Sequence, residues 1–374
     1  MRILNPRKMI RKTVLFFLCI LFAQGAAAVY GADVLRLGFI GDIMAHAVNF
    51  RMTDYRDIYK DVADLFSTDD LTFANLELPI DQFLPLGDYP LFNGHRDYWD
   101  AAVRSGVNVF STANNHAFDQ GVQGIYQTLR SAAAVGRDTG RQIWWSGTRG
   151  NLDSPFTPVY MNVKGFRIGF IAATEFLNQG PNPWVNVVDY RIKEAADAFV
   201  SHVAEWAGKA DIFIVSYHCG VEYSFAPTAD LLAFFQRLLA NGVTIVWGNH
   251  PHIFQRWRVE KLDGRTCFIM PSMGNFISGM TWGLSPTQTV GTIPATGDSA
   301  VIRIEFLRFG AGIQPVKWEA APISNYVNAS REMVVGKLRE LAQGKPFLSD
   351  AWTSYYAARL ASIEGFLTPL EEKR

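Results

Sequence analysis

Five short apolar runs in this chain share one property: each stops abruptly at a metal-binding or acid–base side chain. The runs at 34–43, 71–76, 107–113, 211–217 and 243–247 end at Asp42, Glu77, Asn115-His116, His218 and His250-Pro251-His252. They are short and rich in β-branched residues, the mark of buried strands rather than helices. Stretches of helical spacing at 55–66, 98–105 and 121–134 alternate with the first three. That alternation predicts an α/β fold built on a largely parallel sheet. In such sheets the loops at the carboxyl ends of the strands converge on one rim, where ligands bind. Four of the seven histidines and two carboxylates are thereby directed to one edge.

The rest of the chain reads differently. Segments 157–164 and 167–174 flank Gly165 as a hairpin. A helix is predicted over 191–210, with Ile192, Ala195, Phe199, Val203 and Trp206 on one stripe. Another spans 228–241, capped by Thr228 and stopped at Gly242. Strand-like segments at 253–261, 265–270, 301–306 and 314–319 predict a second, more antiparallel sheet. Residues 280–299 read as a long loop, and 328–343 and 350–363 as C-terminal helices. No internal repeat and no linker divides the chain. The expected organisation is a segment 1–28, one large domain over 33–325, and a helical extension over 326–374 packed on it.

Residues 1–28 stand apart. They carry Arg2, Arg7, Lys8, Arg11 and Lys12 without an acid, then an uncharged apolar run, then Gly25-Ala26-Ala27-Ala28. This is the layout of a secretory signal peptide cut after Ala28, or of an uncleaved anchor. The expected location is therefore periplasmic or extracellular, with membrane contact only through that segment. The whole chain balances 35 basic against 35 acidic residues, and removal of the five N-terminal cations leaves 30 against 35. A mildly acidic protein lacks the positive excess that nucleic-acid binding needs. Cys219 and Cys267 remain after such a cut, as a disulfide or as two small buried hydrophobes. Trp144, Trp145, Trp184 and Trp282 read as core or loop anchors, or as platforms for a sugar or polymer; His95 and His202 read as surface residues.

Imidazole, carboxylate and amide oxygens in one place suit divalent Zn, Mn or Fe; Mg and Ca take mainly oxygen. Each element alone is weak. A strand end would put both imidazoles of His250-x-His252 on one side, yet a lone H-x-H is usually structural. Asp42, Asn115 and Asp119 each suit a turn or a helix cap. Taken together, Gly41-Asp42-Ile43-Met44, Asn75-Leu76-Glu77, the run from Asn114 to Gly121, His218-Cys219-Gly220-Val221-Glu222-Tyr223, Gly248-Asn249-His250-Pro251-His252 and Gly274-Asn275-Phe276 resemble the CapA-type capsule-synthesis (poly-γ-glutamate synthesis) family. That family is itself similar to the calcineurin-like metallophosphoesterases. The resemblance runs from about residue 34 to about 310, in order.

The resemblance implies an α/β/β/α sandwich of two mixed sheets flanked by helices, carrying two divalent metal ions. Asp42 and His252 would hold the first ion, Asn115, His218 and His250 the second, and Glu77 would bridge them. His116 would be no ligand but an acid beside the leaving group, oriented by Asp119. Glu222, Tyr223 and Asn275 would lie beside the substrate. Two features depart from the wider pattern: Met44 stands where a histidine is usual, with His46 nearby, and Glu77 replaces an aspartate. Such a centre hydrolyses or transfers at phosphorus or acyl carbon. The implied role is in capsule polymer synthesis, attachment or export, with an anionic polymer or phosphoester substrate and envelope polymer-assembly proteins as partners. A non-catalytic scaffold of that assembly and a general exported phosphoesterase are the alternatives.

Overall fold

The computed structural model describes residues 34–310 and 312–373, so the expected signal segment lies outside the described residues. In chain order the elements are β1 (Leu35–Ile43), β2 (Leu71–Leu76), α1 (Arg96–Ser105), β3 (Val109–Ser111), α2 (Gly121–Thr139), β4 (Trp144–Ser146), β5 (Val159–Val163), β6 (Phe166–Thr174), α3 (Lys193–Ala207), β7 (Ile212–His218), α4 (Ala229–Ala240) and β8 (Ile245–Asn249). They continue with β9 (Arg258–Leu262), β10 (Arg265–Met270), β11 (Asn275–Ile277), α5 (Thr292–Ala295), β12 (Asp298–Phe309), β13 (Gly312–Val327), β14 (Met333–Lys337), α6 (Leu338–Gln343), α7 (Asp350–Leu367) and β15 (Leu370–Lys373).

These strands form two mixed sheets. One runs β14-β13-β12-β1-β2-β3-β4, with β11 also paired to β1; the other runs β15-β9-β10-β8-β7-β6-β5. Within the first, β1 to β4 are parallel and β12 to β14 antiparallel. Within the second, β6, β7, β8 and β10 are parallel. The later strands therefore do not make a separate antiparallel sheet. β9 and β10 extend the sheet begun by β5 to β8, and the chain then returns to widen the first. Each sheet thus places parallel strands at its centre, and both point their carboxyl ends to one edge.

The sheets face each other through an aromatic core. Phe39 and Phe73 stack at 4.8 Å, Trp247 of the other sheet lies 6.0 and 6.2 Å from them, and Phe170 lies 5.4 Å from Phe73. Such contacts suit two inner sheet faces separated by about 10 Å. Helices α3 and α4 cover the outer face of the second sheet through Phe199, Val203, Phe234, Phe235 and Leu238. α1 and α2 bury Trp99, Val103, Ile125 and Val135 against the first. The result is the expected four-layer sandwich. As expected, Thr228 caps α4 by accepting a hydrogen bond from Leu231 N–H. Cys219 and Cys267 are both buried free thiols.

Two predicted helices are different in structure. Residues 55–66 form separate 3₁₀ turns at Tyr55–Ile58 and Ala63–Leu65, the first closed by Asp54 accepting from Arg56 N–H. These turns bury the same Ile58, Val62 and Phe66 that helical spacing selects, so periodicity does not distinguish the two. The region 328–343 contains a turn, then β14, and only the short α6. Val334 and Val335 pair with β13 in the first sheet, where β-branched side chains pack well. The C-terminal region is thus helical only in part, since β15 also pairs with β9. Among the described residues, no helix is long and apolar enough to cross a membrane.

One charged pair ties α7 to the first sheet. Arg359 is buried and bonds Asp298 at 2.7 Å. Burial pushes the Asp298 carboxyl up to about 6, while Arg359 pulls it the other way. Arg359→Met leaves a lone buried carboxylate, and chemical denaturation at neutral pH should show a loss of roughly 3–5 kcal/mol. Without the guanidinium the folded-state pKa rises further above its unfolded value. The stability deficit should therefore be smallest below pH ~6, where the Asp298 carboxyl is protonated in both proteins, and should grow as pH rises above it.

Candidate metal centre

The site lies at the seam between the two sheets. Asp42 ends β1, Glu77 follows β2, and Asn115 and His116 follow β3, all from the first sheet. His218 ends β7, while His250 and His252 follow β8 of the second. At this edge glycines let neighbouring strands within each sheet approach closely. A Cβ on Gly41 would lie 1.8 Å from the carbonyl of Gly274, and one on Gly248 would lie 2.1 Å from that of Pro271. Asp42 N–H donates to Gly274 O at 2.9 Å, which fixes the carboxylate at the strand end.

All six candidate ligands are buried. Two trios bring one ligand atom from each member to within 4.8 Å of one another: Asp42, Glu77 and His218, and Glu77, His250 and His252. Glu77 belongs to both, the position expected of a bridging carboxylate. The trios divide the histidines differently from the resemblance, which joins His250 to His218 and His252 to Asp42. His252 Nδ1 nonetheless lies 3.5 Å from Asp42 Oδ2, and the His218 and His250 rings are 4.9 Å apart. Asn115 Oδ1 sits 2.7 Å from His218 Nε2.

The two histidines after β8 do not converge by the strand alternation that their spacing predicts. β8 ends at Asn249, and His250 and His252 adopt φ of 101° and 58°. Non-glycine residues at positive φ are uncommon and cost of order 1–3 kcal/mol each. Tyr223, at φ 62°, is a third such residue at the mouth. Backbone strain of this kind collects where a structure serves a ligand rather than its own stability.

Electrostatics point the same way. Neither carboxylate oxygen of Glu77 has a hydrogen-bond partner, and His250 Nδ1 has none. A buried carboxyl without a hydrogen bond escapes the cost of a lone ion only by keeping its proton or by meeting a cation. Desolvation, reinforced by neighbouring Asp42, holds the Glu77 carboxyl well above the ordinary range. Burial pushes His218 far below its usual value and His250 down to about 3, so both imidazoles stay neutral and keep a lone pair. A neutral histidine is the form that ligates. Three imidazoles, two carboxylates and an amide oxygen, with the central carboxylate unpaired, fit one or two divalent transition ions.

Supporting residues fix this set. Asn75, fully buried, donates its amide to Asp42 Oδ1 at 2.8 Å and lies 3.2 Å from His218 Nδ1. Asn275 lies beneath His252 rather than at the open mouth: its Oδ1 sits 2.9 Å from His252 Nδ1, and its amide donates to Thr296 O at 3.0 Å. Asn275 thus presents Nε2 of His252 to the centre, which is the usual work of a residue behind a metal-binding histidine. Met44 is buried and its backbone carbonyl accepts from Tyr98 Oη. His46 does not take the missing place. Its Nδ1 accepts from Gly279 N–H at 3.0 Å, its ring packs on Phe92 at 5.1 Å, and burial lowers its pKa to about 4.

His116 and Asp119 form the expected dyad, with Nδ1 and Oδ2 2.7 Å apart. Asp119 also accepts from Phe92 N–H at 2.8 Å and Gln179 Nε2 at 2.8 Å, and the Phe92 ring packs edge-on to His116 at 4.6 Å. Phe92 and Gln179 lie outside the strand-end motifs, and nothing in their local sequence marks them. Asn75, by contrast, stands two residues before Glu77 in a motif already singled out. Glu222 is exposed at the mouth, and Tyr223 places its ring 6.1 Å from that of His252.

A two-sheet α/β protein with a buried acid–histidine cluster at the strand-end seam is the class that this fold and site define. A family model described as bacterial capsule synthesis protein PGA_cap matches residues 36–280, and the chain belongs to that family. The PGA biosynthesis protein CapA of Bacillus subtilis (strain 168) is 26% identical over 306 residues, covering 79% of this chain and 72% of its own. The capsule biosynthesis protein CapA of Bacillus anthracis is 25% identical over 301 residues, covering 76% and 67%. Among solved structures, the calcineurin-like phosphoesterase YfkN from Bacillus subtilis aligns with a TM-score of 0.43 at 14% identity, covering 90% of this chain and 100% of its own. A hypothetical protein from Thermus thermophilus aligns at 0.42 and 18%, covering 77% and 98%.

Glu77→Gln separates ligand role from structural role. In excess chelator, thermal unfolding should show the variant at least as stable as the parent, because an unpaired buried carboxylate is gone. Added Mn or Zn should raise the melting temperature of the parent but not of the variant. A variant that is less stable in chelator and still stabilised by metal would contradict the assignment.

Proposed function

We propose that this protein is an exported, metal-dependent hydrolase or transferase of capsule or poly-γ-glutamate polymer synthesis, acting on a phosphoester or acyl bond. The observation that carries this reading is the buried Glu77 carboxylate, unpaired in the protein and shared by two ligand trios. Asp42, Glu77, Asn115, His218, His250 and His252 would hold two divalent ions, of Mn, Zn or Fe type. Bound there, such ions supply Lewis-acid polarisation of a phosphoryl or acyl oxygen and activation of water.

The chain's own residues do the rest. Asp119 accepts from His116 Nδ1–H and holds the ring in one orientation, with Phe92 N–H and Gln179 fixing Asp119 in turn. His116 Nε2 is thereby left to face a leaving group, with the Asn178 amide nitrogen 3.5 Å away. In its doubly protonated form, His116 gives the Nε2 proton to the departing oxygen or nitrogen as that bond to phosphorus or carbon breaks. Phe92 and the rim of the 81–94 loop limit water around the imidazole.

Export rests on the basic and apolar layout of residues 1–28, and a place in polymer synthesis on the family. Periplasmic or extracellular location, and work beside envelope polymer-assembly proteins, follow from the two together. Met44 favours one second reading, a scaffold that keeps the fold without turnover, because the buried thioether takes the place of a ligand.

Phosphodiester and γ-glutamyl turnover by the purified, Mn- or Zn-loaded protein decides between them. His116→Ala should lower turnover by about 10²–10⁴-fold, with bound metal unchanged by elemental analysis. Asp119→Asn should lower kcat while leaving metal content intact. Full metal loading with no turnover of either substrate class would favour the scaffold.

A further inference from the structure

One loop of the second sheet reaches across the seam to residues of the first. It covers residues 175–180, directly after β6. Its base is fixed: Thr174 Oγ1 donates to the carbonyls of Phe176 at 2.9 Å and His218 at 3.2 Å, and Glu175 N–H donates to His218 O at 2.9 Å. Leu177 is buried in the core, and Gly180, at φ 82°, turns the chain away. Between them the loop carries Asn178 to the residues that follow β3.

Asn178 is exposed, whereas the residues it covers, Asn115 and His116, are 2% and 3% exposed. Its backbone N–H donates to Asn115 O at 3.1 Å, and its side-chain Oδ1 accepts from Asn115 Nδ2 at 3.3 Å. Its own Nδ2 lies 3.3 Å from His116 Nδ1 and 3.5 Å from Nε2. Asp119 already engages that Nδ1 at 2.7 Å, and near-equal distances to both ring nitrogens set the amide against the ring as a whole. The Asn178 amide is thus held at its nitrogen end by the imidazole, which leaves its oxygen end for Asn115.

That contact settles an orientation that shape alone does not. The two ends of an asparagine amide are nearly equal in size, and only the oxygen can ligate a cation. With Asn115 Nδ2 committed to Asn178, Oδ1 is the end that faces the centre, 2.7 Å from His218 Nε2. Without an acceptor at 178, the Asn115 amide can turn its NH2 group inwards, and the centre loses an oxygen donor.

Resting on the metal-dependent reading above, we propose that Asn178 is a positioning residue that sets Asn115 oxygen-inward, as a ligand for an ion shared with His218. The loop after β6 thereby lets one sheet fix a ligand that belongs to the other.

The test titrates Mn into the full chain as parent, Asn178→Leu, Asn115→Asp and the double variant. Leucine keeps the volume of the asparagine side chain without its polar ends. Asn178→Leu should weaken Mn binding by about 10–100-fold, the usual cost of losing a residue that orients a ligand. An aspartate at 115 offers oxygen at both ends, so on that background the same substitution should cost far less. Equal losses on the two backgrounds, as a merely structural role would give, or no loss from Asn178→Leu alone, would overturn the proposal. A second measurement needs neither metal nor turnover. In chelator, the side-chain amide resonance of Asn115, identified by its absence in Asn115→Asp, should move in Asn178→Leu. It should stay near its parent position in Asn178→Asp, which keeps the acceptor. An unmoved resonance in Asn178→Leu would also overturn the proposal. Failure of the parent to bind Mn would count against the metal-dependent reading alone, and the amide resonance would still decide this one.

Discussion

The structure depends on a buried carboxyl group to which the protein gives no hydrogen bond. Glu77 ends β2 at the point where two sheets meet, fully enclosed and with both oxygens unsatisfied. Burial beside Asp42 drives this carboxyl towards its protonated form unless a cation neutralises it. Every neighbouring feature makes sense as accommodation of that group and of the cation that would neutralise it. Burial keeps His218 and His250 uncharged, Asn75 and Asn275 turn their neighbours towards the centre, and Gly41 and Gly248 let neighbouring strands approach at backbone distance.

The sheet topology explains how residues so distant in sequence meet. Parallel strands at the centre of each sheet send their carboxyl ends to one edge, and the aromatic core of Phe39, Phe73, Phe170 and Trp247 sets the two edges side by side. Asp42, Glu77 and Asn115 arrive from one sheet, and the three histidines from the other. A site at such a seam is held by packed β-structure rather than by loops alone, which suits a centre that must keep several donors within a few ångströms.

Much of this was legible in the sequence. The five apolar runs ending in polar residues mark the strands and, through one general rule about strand ends, bring Asp42, Glu77, Asn115, His116, His218, His250 and His252 to one rim, while their roles and the His116–Asp119 dyad were implied by the family resemblance. What escaped was of a different physical kind. Period alone did not separate the turns at 55–66 from a helix, because both bury Ile58, Val62 and Phe66. Nor did it assign β12, β13 and β14 to the first sheet, since strand pairing across long intervals leaves no local pattern. The left-handed conformations of His250 and His252 are imposed by tertiary contact against the preference of the residue type. Phe92 and Gln179 reach Asp119 only through loop packing.

Family membership places the chain among capsule synthesis proteins, while the site's own chemistry sets what any activity there can be. The most direct test is anomalous scattering from crystals of the full chain grown with Mn or Zn. One or two strong peaks are expected, with at least one within ligand distance of a Glu77 oxygen and of an imidazole from His218, His250 or His252. Crystals grown in excess of either ion, with no anomalous peak touching Glu77, would contradict it.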